Sequence, residues 1–134
     1  MSNITQVINI DKNFRILKKT IHASDSDQVL SSSGPYTLLA PSDQAFQKLE
    51  KGMIDELLEP QNRSKLASLI NNHVIQGRVD YNDLRDGDTL TTLNGKEWPV
   101  SVKNGNVMIG DANVELRLGK ISNGVIHYTN QVLV

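Results

Sequence analysis

Cysteine is absent from the 134 residues, which excludes disulfides, thiolate metal sites and cysteine nucleophiles together. The compartment stays open, because an exported bacterial domain of this size can fold without bridges. A strong charge excess is missing too: 14 Lys and Arg stand against 15 Asp and Glu, a net charge of −1. The cations are scattered, and the one doublet, Lys18-Lys19, reads as a solvated helix face. Nothing electrostatic points to nucleic acid or to a membrane surface. No apolar window reaches transmembrane length, and residues 1–6 lack the basic-then-apolar order of a signal peptide. No membrane insertion is therefore expected of this segment. Repeats, low-complexity tracts, phosphate-binding loops and dinucleotide glycine patterns are all missing. What remains fits a single domain, 1–134, long enough to bury a core. The end at Val134, directly after a strand signal, suggests a domain edge.

The apolar spacing supplies the fold class. Ile10, Phe14, Leu17 and Ile21 make one helical stripe, with Asp11 as a plausible N-cap. A shorter helix anchored by Val29-Leu30 is expected before Gly34-Pro35. Residues 36–40 are a compact strand signal stopped by Pro41, after which Ser42 or Asp43 can cap a helix carrying Ala45, Phe46 and Leu49. Gly52 breaks that pattern. Ile54, Leu57 and Leu58 start a short helix that Pro60 ends, and Leu66, Leu69, Ile70 and His73 follow at helical spacing.

From Gly77 the period becomes strand-like. Asp86-Gly87-Asp88 is a turn, residues 89–93 form a strand, and Asn94-Gly95 closes it. Asn104-Gly105 between residues 98–102 and 106–109 is a strong hairpin signal. With those two residues as the turn, Val102 faces Val107 and Val100 faces Ile109. Val114, Leu116 and Leu118 alternate as another strand. The last stretch, 123–134, opens on Asn123-Gly124 and places Ile126, Tyr128, Val132 and Val134 on one face. So apolar a terminal strand is expected inside a sheet, where it cannot pair with other chains. The expectation is α+β, a helical N-terminal half packed on two mainly antiparallel β-sheets. Phe14, Leu17, Leu38, Phe46, Leu69, Leu93, Val125 or Ile126, and Leu133 should be largely buried.

Three blocks in order along the chain carry a likeness. Residues 36–46 read Tyr-Thr-Leu-Leu-Ala-Pro-Ser-Asp-Gln-Ala-Phe, residues 69–74 read Leu-Ile-Asn-Asn-His-Val, and residues 122–133 close the chain. Together with Thr91-Thr92-Leu93-Asn94-Gly95, they resemble the fasciclin-type adhesion domain, in its bacterial branch. The residues matching its signature are Thr37, Ala40, Pro41, Asp43, Phe46, His73, Asn123, Gly124, Ile126 and His127. Departures exist. Asn72 precedes His73 where the family usually has tyrosine, and Thr129-Asn130 stands where Ile-Asp is common. No acidic-Ile dipeptide occurs in residues 118–121, and no Arg-Gly-Asp occurs at all, so integrin binding of the animal type is not carried over. The resemblance implies a wedge of two β-sheets with helices alongside. It also implies a role in adhesion or extracellular contact with a protein or glycan, and a secreted, periplasmic or cell-surface location.

Candidate chemistry is sparse. His22, His73 and His127 titrate nearest neutrality, but His73 and His127 lack a partner at metal-ligand spacing. They read as hydrogen-bonded core residues. His22 ends a helix, where a cation is favourable. Ser42-Asp43 lacks the strained elbow of a serine nucleophile, and capping accounts for both residues. The acidic stretch 80–88 resembles a calcium loop without its spacing and reads as a solvated loop. No enzyme activity and no cofactor are expected. Two functions from different classes follow. One is a binding module for a cell-surface or matrix protein or glycan, with no aromatic cluster to locate its contact surface. The other, suggested by carotenoid-binding relatives, is a carrier of an apolar molecule such as a carotenoid or lipid. Met53, Ile54, Leu57 and Leu58 would line the carrier's groove, unless they simply pack on the core. The near-neutral charge points to a monomer.

Overall fold

In the computed structural model, residues 3–32, 34–115 and 121–133 are described. The chain opens on a helix that the apolar stripe did not announce, α1 (Ile4–Ile10). Asn3 caps it, accepting from the Gln6 N–H at 2.9 Å while the Gln6 side chain accepts from the Asn3 N–H. This reciprocal box satisfies two donors that a seven-residue helix would otherwise leave bare. Ile4 and Ile8 are buried, and Ile10 is 79% exposed. Ile10 thus belongs to the end of α1 and not to the stripe of the next helix. Asp11 does cap, but its carboxylate accepts from the Asn13 N–H of a short 3-10 turn, Lys12–Phe14. Then come α2 (Arg15–Ala23) and α3 (Ser26–Leu30). Three further helices, α4 (Asp43–Gln47), α5 (Met53–Leu57) and α6 (Arg63–Asn71), follow the first strand.

The strands are β1 (Tyr36–Pro41), β2 (Val74–Gln76), β3 (Thr89–Thr91), β4 (Glu97–Lys103), β5 (Asn106–Ile109), β6 (Ala112–Glu115) and β7 (Gly124–Thr129). The α+β class holds, but the division into two mainly antiparallel sheets does not describe the ladders found. They join all seven strands in one order, β2-β1-β7-β6-β5-β4-β3. At its heart β1 and β7 run parallel, from Tyr36 opposite Gly124 to Pro41 opposite Thr129. The remaining pairs are antiparallel. A bridge between Ile75 and Thr92, and the Leu93 N–H donating to the Val74 carbonyl at 2.8 Å, bring the two ends of the order together. The sheet therefore curls toward closure, which leaves little open edge for other chains to pair with.

Curling gives the sheet two buried sides. Leu38 and Ala40 of β1 and Ile126 of β7 meet Ile4, Phe14, Leu17 and Phe46 from the helices. Leu39 points the other way, into a second core with Ile75, Val100, Ile109 and Leu133. Burial on both faces is why residues 36–41 read as a continuous apolar run. The hairpin has the expected register, Val102 with Val107 and Val100 with Ile109. Its turn residues Asn104 and Gly105 hold φ of 53° and 79°, which suits the right-handed twist of the strands.

One burial expectation needs correction. Leu93 is 38% exposed, because the alternation that carries Leu90 inward continues through buried Thr92, which bridges to Ile75, and so turns Leu93 outward. At the C-terminus β7 ends at Thr129, so Val132 is not on its face by alternation. A bend at residues 130–131 returns Val132 to the helix-side core and Leu133 to the inner one. Ile126 is buried and Val125 only partly so. Leu116, Leu118 and Val134 lie outside the described residues. Among the described residues no helix is long and apolar enough to cross a membrane.

Candidate functional site

The singled-out residues gather along the β1–β7 seam. Asn123, in the turn before β7, is buried and uses its whole side chain. Its Nδ2 donates to the carbonyls of Leu30 and Ser32, both at 2.7 Å, and its Oδ1 accepts from the Ile4 N–H at 2.9 Å. Its carbonyl accepts from the Tyr36 N–H at 2.8 Å. The side-chain amide thus joins the start of α1 to the end of α3, and the main-chain carbonyl of the same residue adds the start of β1. Gly124 follows because nothing larger fits: an added Cβ would lie 1.8 Å from the Tyr36 carbonyl oxygen.

Thr37 and His127 face the same side of the seam and fasten one segment. The Thr37 hydroxyl donates to the Gly77 carbonyl and accepts from the Val79 N–H, both at 2.8 Å. His127 Nε2 lies 2.6 Å from the Val79 carbonyl. A carbonyl can only accept, so Nε2 carries the proton. Burial lowers the pKa of His127, opposed by that hydrogen bond and by the nearby Asp80 carboxylate. Burial thus favours the neutral imidazole, in the tautomer that carries its proton on Nε2.

His73 is the complementary tautomer. Its Nε2 accepts from the Leu133 N–H at 2.8 Å, so Nδ1 must bear the proton it donates to the Leu69 carbonyl at 2.7 Å. Burial pushes its pKa down to about 4 against that carbonyl's opposing pull. Its own carbonyl accepts from the Leu39 N–H of β1 at 2.7 Å. His73 therefore ties α6, β1 and residue 133 together. No group of three His, Asp or Glu side chains converges as metal ligands among the described residues.

The turn after β1 separates two caps that the sequence left as alternatives. Ser42 caps α4, its hydroxyl accepting from the Ala45 N–H at 3.3 Å. Asp43 reaches across to α2 and accepts from the Ile16 N–H at 2.8 Å. Ala40, Phe46 and Ile126 are buried in the helix-side core, and Pro41 ends β1 opposite Thr129. A partnership absent from the sequence reading lies beside them. The Tyr128 hydroxyl donates to the Asp11 carboxylate, and its ring meets Phe14 at 4.6 Å between centroids, tilted by 54°.

Met53, Ile54, Leu57 and Leu58 are all half-buried, and the last three pack against the helix-side core. The depression beside them, about 290 Å³, is bordered by Ile16, Phe46 and Ile54 together with Glu50, Lys51 and Asp55. It is open and charged at its rim, unlike the enclosed apolar pockets that bury small ligands. In the acidic loop, a 3-10 turn covers Tyr81–Asp83. Asp83 accepts from the Asp80 N–H at 3.2 Å and Asp86 from the Val102 N–H at 2.9 Å. These two carboxylates hold their own loop. A larger cleft of about 620 Å³ lies between the start of α4 and the ends of β6 and β7, among Asn13, Gln44, Asn113 and Asn130. Its lining combines these amides with the hydroxyls of Ser42, Tyr128 and Thr129 and the side chains of Asp43 and Glu115.

With this geometry in place, the likenesses can be read. The sequence matches the model of the Fasciclin domain over residues 12–134. It is 33% identical over 131 residues to protein sll1483 of Synechocystis, covering 98% of this chain and 72% of that one. It is 31% identical over 140 residues to the transforming growth factor-beta-induced protein ig-h3 of Sus scrofa, covering 99% of this chain but 19% of that one. Among solved structures, a FAS1 domain pair from the insect cell adhesion molecule Fasciclin I superposes with a TM-score of 0.85 at 19% identity, covering 99% of this chain and 51% of that one. By sequence and fold together, the chain belongs to the fasciclin family.

Proposed function

We propose that this fasciclin domain is a non-enzymatic binding module that makes adhesive contact with a cell-surface or matrix protein or glycan. One observation carries the reading: the polar signature residues spend their hydrogen-bonding groups inside the fold. Thr37, His73, Asn123 and His127 each bond backbone groups of the chain itself, and Asp43 caps a neighbouring helix. Side chains so committed build a scaffold, and contact with a partner falls to the exposed loops and helix faces it displays. The description of the structural neighbour as a cell adhesion molecule supports the same reading. Such a module works at the cell surface, in the periplasm or outside the cell, and acts here as a monomer.

The test is attachment. The folded domain is immobilised on beads, and binding of its source organism's cells is counted against a heat-unfolded control. Fold-dependent attachment is expected. Equal attachment to both, or none together with a coloured or lipid-bearing protein recovered from the native host, would overturn the proposal.

A further inference from the structure

Helix α2 buries Leu17, Thr20 and Ile21 and turns Arg15, Lys18, Lys19 and His22 to solvent. At one turn per 3.6 residues, these four fall in a stripe about 100° wide and two turns long. Lys12, in the 3-10 turn just before, is exposed as well. Four of the chain's 14 Lys and Arg thus stand within residues 12–19, in a protein of net charge −1.

These cations are not there to be neutralised from within. No carboxylate pairs with Arg15, Lys18 or Lys19 among the described residues. Glu50 and Asp55 share a depression with Ile16 but pair with none of the α2 cations among the described residues, and the acids of the segments on either side of α2 and of the α4 turn are committed elsewhere. Asp11 accepts from Tyr128 and from the Asn13 N–H, and Asp43 from the Ile16 N–H. Asp25 pairs with Arg63 at 3.3 Å, and Asp27 lies 3.5 Å from His22 at the edge of the stripe. Like charges three and four residues apart destabilise a helix, so helix stability does not account for the arrangement. It does suit a polymer of repeating negative charge, met at one cation per turn, about 5 Å apart along the axis. Apart from the His22 imidazole, held against Asn9 at 2.9 Å and Asp27 at 3.5 Å, the outward positions of α2 carry no aliphatic or aromatic group to enter a bilayer or stack on bases. Lipid and nucleic acid are therefore poorer matches than a hydrophilic polyanion.

We propose that the outer face of α2 docks an anionic polysaccharide, carboxylated or sulfated, through Arg15, Lys18 and Lys19, with Lys12 and His22 flanking. The inference rests on the adhesive reading above and names its partner as an acidic glycan.

The whole chain is titrated with polygalacturonate and with dextran sulfate, as wild type and as Lys18→Glu/Lys19→Glu. Circular dichroism verifies that both are folded. Binding should weaken as salt rises, because released counterions drive it. The double reversal should lower affinity by at least about tenfold. Arg85→Glu/Lys103→Glu, equal in net charge but on the β side, should leave affinity within about twofold. Equal losses in the two variants, no binding of either polymer by the wild type, or stronger retention on vesicles of anionic lipid would each overturn the proposal. The bead assay separates it from the reading it rests on. Cell attachment untouched by Lys18→Glu/Lys19→Glu overturns the docking face and leaves adhesion standing. Polymer binding lost in that variant, with no cell attachment by either protein, supports the face and overturns adhesion.

Discussion

Acidification from neutrality to about pH 4 should cost the folded state about 3 kcal/mol through a single side chain, His73. In the unfolded chain its imidazole protonates near 6.5, whereas in the fold it stays neutral until about 4. Each unit of that separation is worth about 1.4 kcal/mol. Above pH 6.5 both states are neutral and the contribution is complete. As pH falls toward 4, the unfolded chain takes up a proton that the folded chain refuses, and stability drains away until both are protonated. The cause is visible in the hydrogen bonds. A proton on Nε2 would face the Leu133 N–H, which is itself a donor, inside a site from which water is excluded. His127 is displaced in the same direction and adds to the loss. Urea unfolding of the wild type and of His73→Gln across this range reads the effect. The stability difference between the two should shrink by about 3 kcal/mol from pH 6.5 to 4. Parallel curves would refute the reasoning, since the burial of a neutral His73 would then have no energetic consequence.

Four further outcomes are expected. Gly124→Ala should cost more than about 4 kcal/mol or abolish folding, since its Cβ meets the Tyr36 carbonyl at 1.8 Å; soluble yield and the melting temperature decide this. Asn123→Ala orphans the Ile4 N–H and the Leu30 and Ser32 carbonyls, a loss of about 3–5 kcal/mol by urea titration. His127→Ala leaves the Val79 carbonyl without its donor and should cost about 1–3 kcal/mol; an unchanged melting temperature with partner binding abolished would make His127 functional. Asp43→Ala should cost about 1 kcal/mol, and hydrogen exchange should quicken at Ile16 in α2 and not at Ala45 in α4, which separates its cap from that of Ser42.

What could be read from the sequence was local. The Asn104-Gly105 hairpin was legible because the turn chemistry and the alternating valines demand the same register. The cap at Ser42 and the break at Gly52 rest equally on neighbours in the chain. The β1–β7 pairing was hidden, because two apolar runs 88 positions apart carry no sign of which strand each will meet. Separation along the chain, here 27 positions, also hid the target of Asp43, whose capping chemistry was plain but whose helix was not its own. Helix α1 was missed despite a local signal: Asn3 and Gln6 at capping-box spacing, with Ile4 and Ile8 one turn apart. Leu93 was misplaced because its hydrophobicity was put ahead of the alternation, which sets it three residues from Leu90 and so on the opposite face.

The site divides along the same line, and the division bears on where binding specificity resides. Residues with a recognisable pattern turned out to have partners on the backbone: Thr37 and His127 on the strap at Gly77 and Val79, His73 on Leu69 and Leu133, Asn123 on three segments at once. A backbone partner is present whatever side chains surround it, so such bonds hold the fold together while the exposed surface changes freely around them. Exposed contacts have the opposite character. Arg15, Lys18 and Lys19 pair with no carboxylate among the described residues, and their charge gains value when a partner supplies the opposite sign. Replacing them should leave stability within about 0.5 kcal/mol while altering what the domain holds. In a scaffold built this way, the residues that identify the fold and those that choose the partner are different sets. A basic face such as that of α2 is then a sufficient basis for selectivity.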